Sequence, residues 1–144
     1  MKRVQPGIRR EKWMGFVRPL ARLVLTGVFV VAAIFKLVEM GETQNAVESY
    51  SLLPEWAVWP AALFLPWVEF VAGISLWVPW LRAAAQEMIA LLLVIFLGAI
   101  IAAWARGLDI QCGCFGGTET ANYPWLVARD LGLLGLLSLS KKKK

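Results

Sequence analysis

Four apolar runs, each long enough to cross a membrane as a helix, constrain the fold more than any other feature of the sequence. They cover residues 19–38, 56–78, 83–105 and 122–140. At 1.5 Å per helical residue, about 20 apolar residues cross the roughly 30 Å hydrocarbon core of a bilayer. Hydrophobic residues make up 59% of the chain and charged residues only 17%, which is typical of a membrane protein. The sequence therefore predicts an all-α fold, an integral membrane four-helix bundle that forms one domain over residues 1–144.

The basic residues indicate how such a bundle would be oriented. The N-terminal segment, the connection with Arg82 and the C-terminal lysines hold 12 of the 15 lysines and arginines, counting Arg22. The two loops on the opposite side hold only Arg106. Because basic residues accumulate on the cytoplasmic side, we expect both termini inside and both long loops outside (N-in/C-in). We therefore predict a multi-pass protein of the bacterial inner (cytoplasmic) membrane. Its net charge of +5 is then a topology signal, and the lipid bilayer rather than nucleic acid is its partner.

The chain has only two cysteines, Cys112 and Cys114, in a polar loop over residues 106–121. The outer face of a bacterial inner membrane is oxidising, so a cysteine pair there is expected to undergo disulfide chemistry. Gly113 between them permits the sharp bend that so small a ring requires, and a bond in such a ring should be strained and readily exchanged. We predict that Cys112 and Cys114 are the catalytic pair of a thiol–disulfide oxidoreductase, with Gly113 in a supporting role.

Other uses of the two cysteines remain open at this point. Two thiolates do not complete a tetrahedral zinc or iron–sulfur site without a second chain, and the sequence has no histidine, so we predict no metal site. The lack of histidine also excludes Cys–His and Ser–His nucleophile pairs. The remaining alternatives are a purely structural disulfide that ties the loop and two inert thiols.

Several ionisable residues lie inside the predicted spans, where charges are costly and usually paired or functional. Lys36 lies near the outer end of the first span and Arg129 lies about two turns into the fourth, whereas Glu69 lies roughly 20 Å below the outer start of the second. We expect Lys36 and Arg129 to favour the thiolate form of a cysteine or to contact the head group of a bound quinone. In the alternative, Lys36 extends to the surface while Arg129 pairs with Glu69 or Asp130 as an internal contact.

The loop between the first two spans contains four glutamates and no basic residue. Thr43 is a candidate N-cap of a short amphipathic helix in this loop. Ala46, Val47 and Tyr50 would share one face of that helix, and Pro54 would end the segment.

A set of short motifs is spread over residues 24–137. They are Lys36, Tyr50-Ser51-Leu52-Leu53-Pro54, Leu65-Pro66-Trp67-Val68-Glu69 with Gly73, Arg106-Gly107, Cys112-Gly113-Cys114-Phe115-Gly116 and Arg129. With these residues the chain resembles the MauE family, the membrane component of methylamine-utilisation clusters, which is grouped with the broader DoxX-like four-helix membrane proteins. The resemblance implies a role in the redox maturation of extracytoplasmic proteins, beside a thioredoxin-like partner. In methylamine systems it implies the disulfide-rich small subunit of methylamine dehydrogenase as the target.

The residues and the resemblance together predict a membrane thiol–disulfide redox protein. It would exchange electrons with an extracytoplasmic thioredoxin-like protein during the maturation of periplasmic proteins. A quinone at the level of Lys36, Glu69 and Arg129 would be the terminal electron partner, although nothing in the sequence requires one. The alternative is a non-catalytic small accessory subunit of a larger membrane complex, with a structural Cys112–Cys114 bond and no polar pocket. A transporter or channel has only the mid-membrane Glu69 in its favour, and the chain has no internal repeat.

Overall fold

The computed structural model describes residues 6–110 and 122–141, and the side chains of residues 6–9 and 11 are outside this description. Within these ranges the chain forms five α-helices and no strand, which confirms the predicted all-α class. The helices are α1 (Pro6–Val38), α2 (Met40–Ser49), α3 (Glu55–Ser75), α4 (Arg82–Ala105) and α5 (Tyr123–Ser140). The predicted catalytic pair and Gly113 fall within residues 111–121, outside the described residues.

Three of the described helices are long and apolar enough to cross a membrane. They are Lys12–Val38 within α1, and α3 and α4 over their full lengths. The protein is therefore embedded in the lipid bilayer. The helix α5 is not among these three, because its 18 residues include Arg129 and Asp130. The count of four spans and the N-in/C-in orientation stay predictions.

Two helices have ends that differ from those of the predicted spans. The helix α1 already covers Pro6, the first residue that the structure describes, rather than starting at residue 19, so the basic turns before the apolar run are also helical. The same helix accommodates Pro19 in its interior. The helix α3 ends at Ser75, three residues before the predicted end, and a turn region that contains Pro79 leads into α4.

The four long helices pack around a central apolar cluster. The helix α1 packs against α3 and α5, and α4 also packs against α3 and α5. The buried members of the cluster come from all four helices: Leu25, Phe29, Ala72, Leu76, Ala85, Ile89, Leu92, Leu93, Leu133 and Leu137. This cluster fixes the bundle without a contribution from α2.

The bundle has two chemically different ends. At one end, Tyr50 after α2 packs with side chains from the last turns of α4 and the first turns of α5, and we call this the α2 end. At the opposite end, Gln86 Nε2 near the start of α4 donates a 3.0 Å hydrogen bond to Ser140 Oγ at the end of α5. The helices α4 and α5 therefore run antiparallel along their whole length.

The helices α1 and α3 approach each other closely at Gly73. A Cβ atom at this position would lie 3.3 Å from Val30 Cγ2 and 3.4 Å from Phe29 Cβ. The hydroxyl of Thr26 donates a 3.0 Å hydrogen bond to the Gly73 carbonyl, and the indole N–H of Trp77 donates to the same hydroxyl oxygen at 3.0 Å. The missing side chain thus allows a polar contact between two apolar helices.

The helix α2 follows α1 after a bend at Glu39 and packs against α1 and α3. Thr43 is not its N-cap, contrary to our prediction, because α2 already begins at Met40 and has no side-chain cap. Thr43 instead lies in the interior of the helix, where its buried hydroxyl donates a 3.1 Å hydrogen bond to the Lys36 carbonyl of α1. This hydrogen bond holds α2 against the C-terminal end of α1.

Candidate functional site

Lys36 and Glu69 form an ion pair inside the bundle. The Nζ atom of Lys36, near the end of α1, lies 2.5 Å from Oε1 of Glu69 in α3, and their side chains are 6% and 2% exposed. The Phe96 ring of α4 lies on the same ammonium group, 5.1 Å from Nζ to its centroid. One of our two expectations was that Lys36 extends to the surface. The burial of its side chain shows that it does not. Its positive charge is balanced by a carboxylate from another helix.

Arg129 and Asp130 form a second ion pair one helix away. The Nη2 and Nε atoms of Arg129 donate to Oδ1 of Asp130 at 2.9 and 3.0 Å. Asp130 is 1% exposed and Arg129 16%, and the guanidinium also lies 5.7 Å from the Trp125 ring centroid. The contact with Asp130 is one of the two internal pairings that we expected for Arg129.

Both ion pairs face the same interior space. A first cavity of about 30 Å³ is lined by Lys36, Glu69, Arg129 and Asp130 together with apolar side chains. A second cavity of about 60 Å³, which we call the α2 cavity, is lined by Lys36 and Arg129 and is closed by side chains of α2. Four charged groups from three helices thus meet at the α2 end.

The α2 cavity suits water rather than a ring. A cavity needs at least about 10–15 Å³ to hold one water molecule, so a cavity of about 60 Å³ accommodates a few water molecules. An engineered cavity that binds benzene has about 150 Å³. A quinone head group would therefore require α2 to move outward. Among the described residues, no group of three or more histidine, cysteine or acidic side chains is arranged to hold a metal ion.

The chain leaves α4 towards the cysteine segment through a defined turn. Gly107 has a positive φ of 64°, which a glycine adopts without strain. Its N–H bonds the Trp104 carbonyl at 3.0 Å and the N–H of Leu108 bonds the Ala103 carbonyl at 3.1 Å, the pattern of a Schellman motif. Arg106, just before this turn, places Nη1 3.3 Å from the Tyr50 carbonyl beyond α2.

The other flank of the cysteine segment is held against the same turn. The phenol of Tyr123, the first residue of α5, donates a short hydrogen bond to the Leu108 carbonyl, and its ring stacks on Trp104 with centroids 5.9 Å apart. Ile110 is 1% exposed and packs with Ile100 and Leu126. Residues 111–121 therefore start and end at fixed points of the α2 end. Ile100 also lines the α2 cavity, so these points adjoin the charged interior.

Sequence reasoning identified three of the four charged groups as site residues and missed the contacts between helices. Asp130 was expected only as a partner of Arg129, although its 1% exposure makes it as buried as Glu69. Thr43 and Phe96 were not predicted to contact Lys36, because neither contact has a sequence signal without knowledge of the helix packing. The Arg106-Gly107 dipeptide was a usable signal, since glycine commonly ends a helix.

A family model described as "Methylamine utilisation protein MauE" matches residues 12–140, which include the ion pairs, the cysteine segment and most of every helix. The chain belongs to the MauE family. This confirms the resemblance, whereas the wider grouping with DoxX-like proteins stays a prediction.

Curated MauE proteins from several organisms are similar to the chain. That of Methylorubrum extorquens is 38% identical over 120 residues, which are 82% of this chain and 62% of the relative. That of Methylophilus methylotrophus is 40% identical over 99 residues, 68% of this chain and 52% of the relative. That of Paracoccus denitrificans is 36% identical over 117 residues, 80% of this chain and 63% of the relative. The chain thus spans between half and two thirds of these MauE proteins, and no solved structure matches it significantly.

Proposed function

We propose that this MauE-family chain is a membrane thiol–disulfide redox protein. Cys112 and Cys114 exchange electrons with an extracytoplasmic thioredoxin-like protein during the maturation of periplasmic proteins. Because the relatives are named for methylamine utilisation, methylamine dehydrogenase is the first substrate to test. The observation that carries the proposal is the attachment of both flanks of the cysteine segment to the α2 end, where the buried charges meet.

The fixed flanks suit a reactive pair better than a passive connection. The Tyr123–Leu108 hydrogen bond holds together the two points from which residues 111–121 leave and return. A segment with its ends held loses less conformational freedom when a partner protein docks on it. Burial of Ile110 next to these points keeps the segment attached to the bundle during docking.

The exchange itself needs no group other than the two sulfur pairs. A thiolate of one pair attacks a sulfur of the other pair's disulfide, forms a mixed disulfide and releases the second sulfur as a thiolate. A second attack, by the neighbouring thiolate, resolves the mixed disulfide. In total one pair loses two electrons and two protons and the other pair gains them. We assign Lys36, Glu69 and Arg129 to support of the α2 end on which the segment is mounted, and no terminal quinone is needed for this step.

Trapping of the mixed disulfide tests the proposal. The variants Cys112→Ser and Cys114→Ser each leave one sulfur, and the double variant, which has no thiol, is the matched control. In cells quenched with acid, at least one single variant should carry a covalent adduct with a thioredoxin-like protein that disappears on reduction. Methylamine dehydrogenase should also lose activity in the double variant. Absence of an adduct in both single variants, with normal dehydrogenase maturation in the double variant, would overturn the proposal.

One observation favours a second function, that of a non-catalytic accessory subunit with a structural Cys112–Cys114 bond. A lipid-facing groove of about 390 Å³ lies between α3 and α4, lined by apolar side chains such as Phe64, Trp67 and Met88. A helix of a larger membrane complex would fit against it. Replacing the exposed Ala84 of this groove with Trp should then release that complex, whereas loss of the two thiols should not.

A further inference from the structure

Three arginines gather at the end of the bundle opposite α2. Arg18 and Arg22 lie one turn apart on α1, and Arg82 is the first residue of α4. Thr26, one turn after Arg22, accepts a hydrogen bond from Trp77, and Arg82 donates to the carbonyl of the adjacent Leu76, so Arg82 lies near the level of the α1 arginines. Like charges this close repel each other, so the cluster is unfavourable unless a negative group joins it.

The described part of the chain supplies no such negative group. The ion pairs Lys36–Glu69, Arg129–Asp130 and Lys141–Glu87 do not involve the three arginines. The Nε atoms of Arg18 and Arg22 are buried and have no hydrogen-bond partner, while Nε of Arg82 donates to the Leu76 carbonyl at 3.1 Å. The three cationic groups thus have no anionic partner within the described part of the chain.

The depth of the cluster matches that of lipid phosphates. About 20 helical residues, or roughly 30 Å, separate Arg18 from Val38 at the other end of α1, and this is the thickness of the hydrocarbon core. Trp13 and Trp80, which are 74% and 80% exposed, lie at the same end. Tryptophan is enriched at the level of the lipid head groups. The arginines therefore lie where the hydrocarbon gives way to phosphate.

We propose that Arg18, Arg22 and Arg82 form a binding site for the phosphate of an anionic phospholipid, at the end of the bundle opposite α2. The site takes a phosphate diester in a head group of net negative charge, such as phosphatidylglycerol. Guanidinium groups bind phosphate oxygens through charge-assisted and often paired hydrogen bonds. Basic pockets between membrane helices are a common form of such sites. A bound lipid would also join α1 to the start of α4.

The test measures lipid binding by the purified full chain in a neutral detergent. Phosphatidylglycerol, phosphatidylcholine and inorganic phosphate are titrated separately, and bound lipid is counted by native mass spectrometry. Phosphatidylglycerol should bind at one saturable site, and phosphatidylcholine and inorganic phosphate should not. The double variant Arg18→Gln/Arg22→Gln should lose about thirtyfold in affinity, since each basic residue near an anionic lipid contributes about fivefold.

Lys141→Gln is the matched control, because it removes a cation from the same end of the bundle. This cation already has a carboxylate partner, since Lys141 Nζ lies 2.8 Å from Glu87 Oε1. Its affinity for phosphatidylglycerol should stay within about twofold of the original, well inside the fivefold effect of one arginine. Equal losses in Lys141→Gln and in the arginine variant would overturn the proposal, as diffuse charge would then explain the binding. Equal binding of phosphatidylcholine or of inorganic phosphate would overturn it too. If the double variant does not fold, Arg22→Lys, which keeps the charge and removes Nε, should still weaken binding by more than Lys141→Gln does.

Discussion

Lys36 and Glu69, 33 residues apart in the sequence, meet inside the protein with Nζ 2.5 Å from Oε1. The pair joins α1 to α3 at the α2 end, and the hydrogen bond from Thr26 to Gly73 joins the same helices near the C-terminal end of α3. Between these two polar contacts the interface is apolar. The α1–α3 interface therefore combines two polar contacts with apolar packing, and it sets the position of the Lys36 carbonyl that holds α2.

Removal of one member of the Lys36–Glu69 pair should destabilise the protein more than removal of both. Lys36→Met leaves a buried carboxylate without its ammonium partner, and Glu69→Leu leaves a buried ammonium group without its carboxylate. Each variant should therefore destabilise the protein by about 3–5 kcal/mol. The double variant should recover most of this loss, since an apolar pair of similar volume fits an apolar interface. Thermal unfolding in detergent measures the cycle. A double variant as unstable as the sum of the two single ones would show that the charges do not act as a pair.

The close approach at Gly73 predicts a position-specific effect of side-chain size. Gly73→Leu should force α1 and α3 apart and destabilise the protein by about 1–3 kcal/mol, because Val30 and Phe29 leave no room beyond a Cβ atom. Gly98→Leu in α4 is the control, since a Cβ there meets nothing within 4 Å. The two variants are compared by unfolding temperature and by their levels in membranes. A lower unfolding temperature for Gly98→Leu than for Gly73→Leu would contradict the packing described for this interface.

The hydrogen bond from Thr43 predicts how firmly α2 is held. Thr43→Val keeps the shape of the side chain and removes the donor to the Lys36 carbonyl, at a cost of about 1 kcal/mol. Amide hydrogen exchange over residues 40–49 should then become about fivefold faster, while exchange in α4 stays unchanged. Asn45→Ala, at an exposed position of α2, should change neither region. Uniform acceleration in all helices would instead indicate global destabilisation.

Much of the fold was readable from the sequence because a lipid environment imposes simple rules. Long apolar runs become helices, since a backbone in hydrocarbon must satisfy its own hydrogen bonds. The second of these runs illustrates the limit of the rule. Its helix α3 was placed from its apolar residues, but Pro79 and the turn before α4 ended it at Ser75, earlier than apolarity alone indicated.

The sequence identified most residues of the candidate site but not the contacts between them. We placed Glu69 roughly 20 Å below the outer surface by assuming that α3 begins at that surface. In the structure α3 packs against α2, so the distance along α3 does not by itself measure the depth of Glu69 in the membrane. Lys36 and Glu69 consequently meet, although their helix positions suggested different levels. The Arg129–Asp130 contact was foreseeable because the two residues are adjacent in the sequence.

The N-in/C-in orientation that the sequence predicts can be tested by cysteine labelling in intact cells. In a chain whose two cysteines are replaced by serine, Asn122→Cys should react with a membrane-impermeant maleimide from outside. Ala83→Cys should react only after the membrane is permeabilised. Lys141→Cys should behave like Ala83→Cys if α5 crosses the membrane. Labelling of Lys141→Cys from outside, together with Asn122→Cys, would show that α5 returns to the side from which it starts.

The placement of the two charges also bears on how the chain is inserted during biosynthesis. Lys36 lies two residues before the end of α1, close enough to the aqueous boundary for its ammonium to remain hydrated while synthesis continues. Glu69 lies well inside α3 and has no such refuge. We therefore expect α1 to leave the translocon as an independent helix, whereas α3 should gain a stable position only once α1 is there to neutralise Glu69.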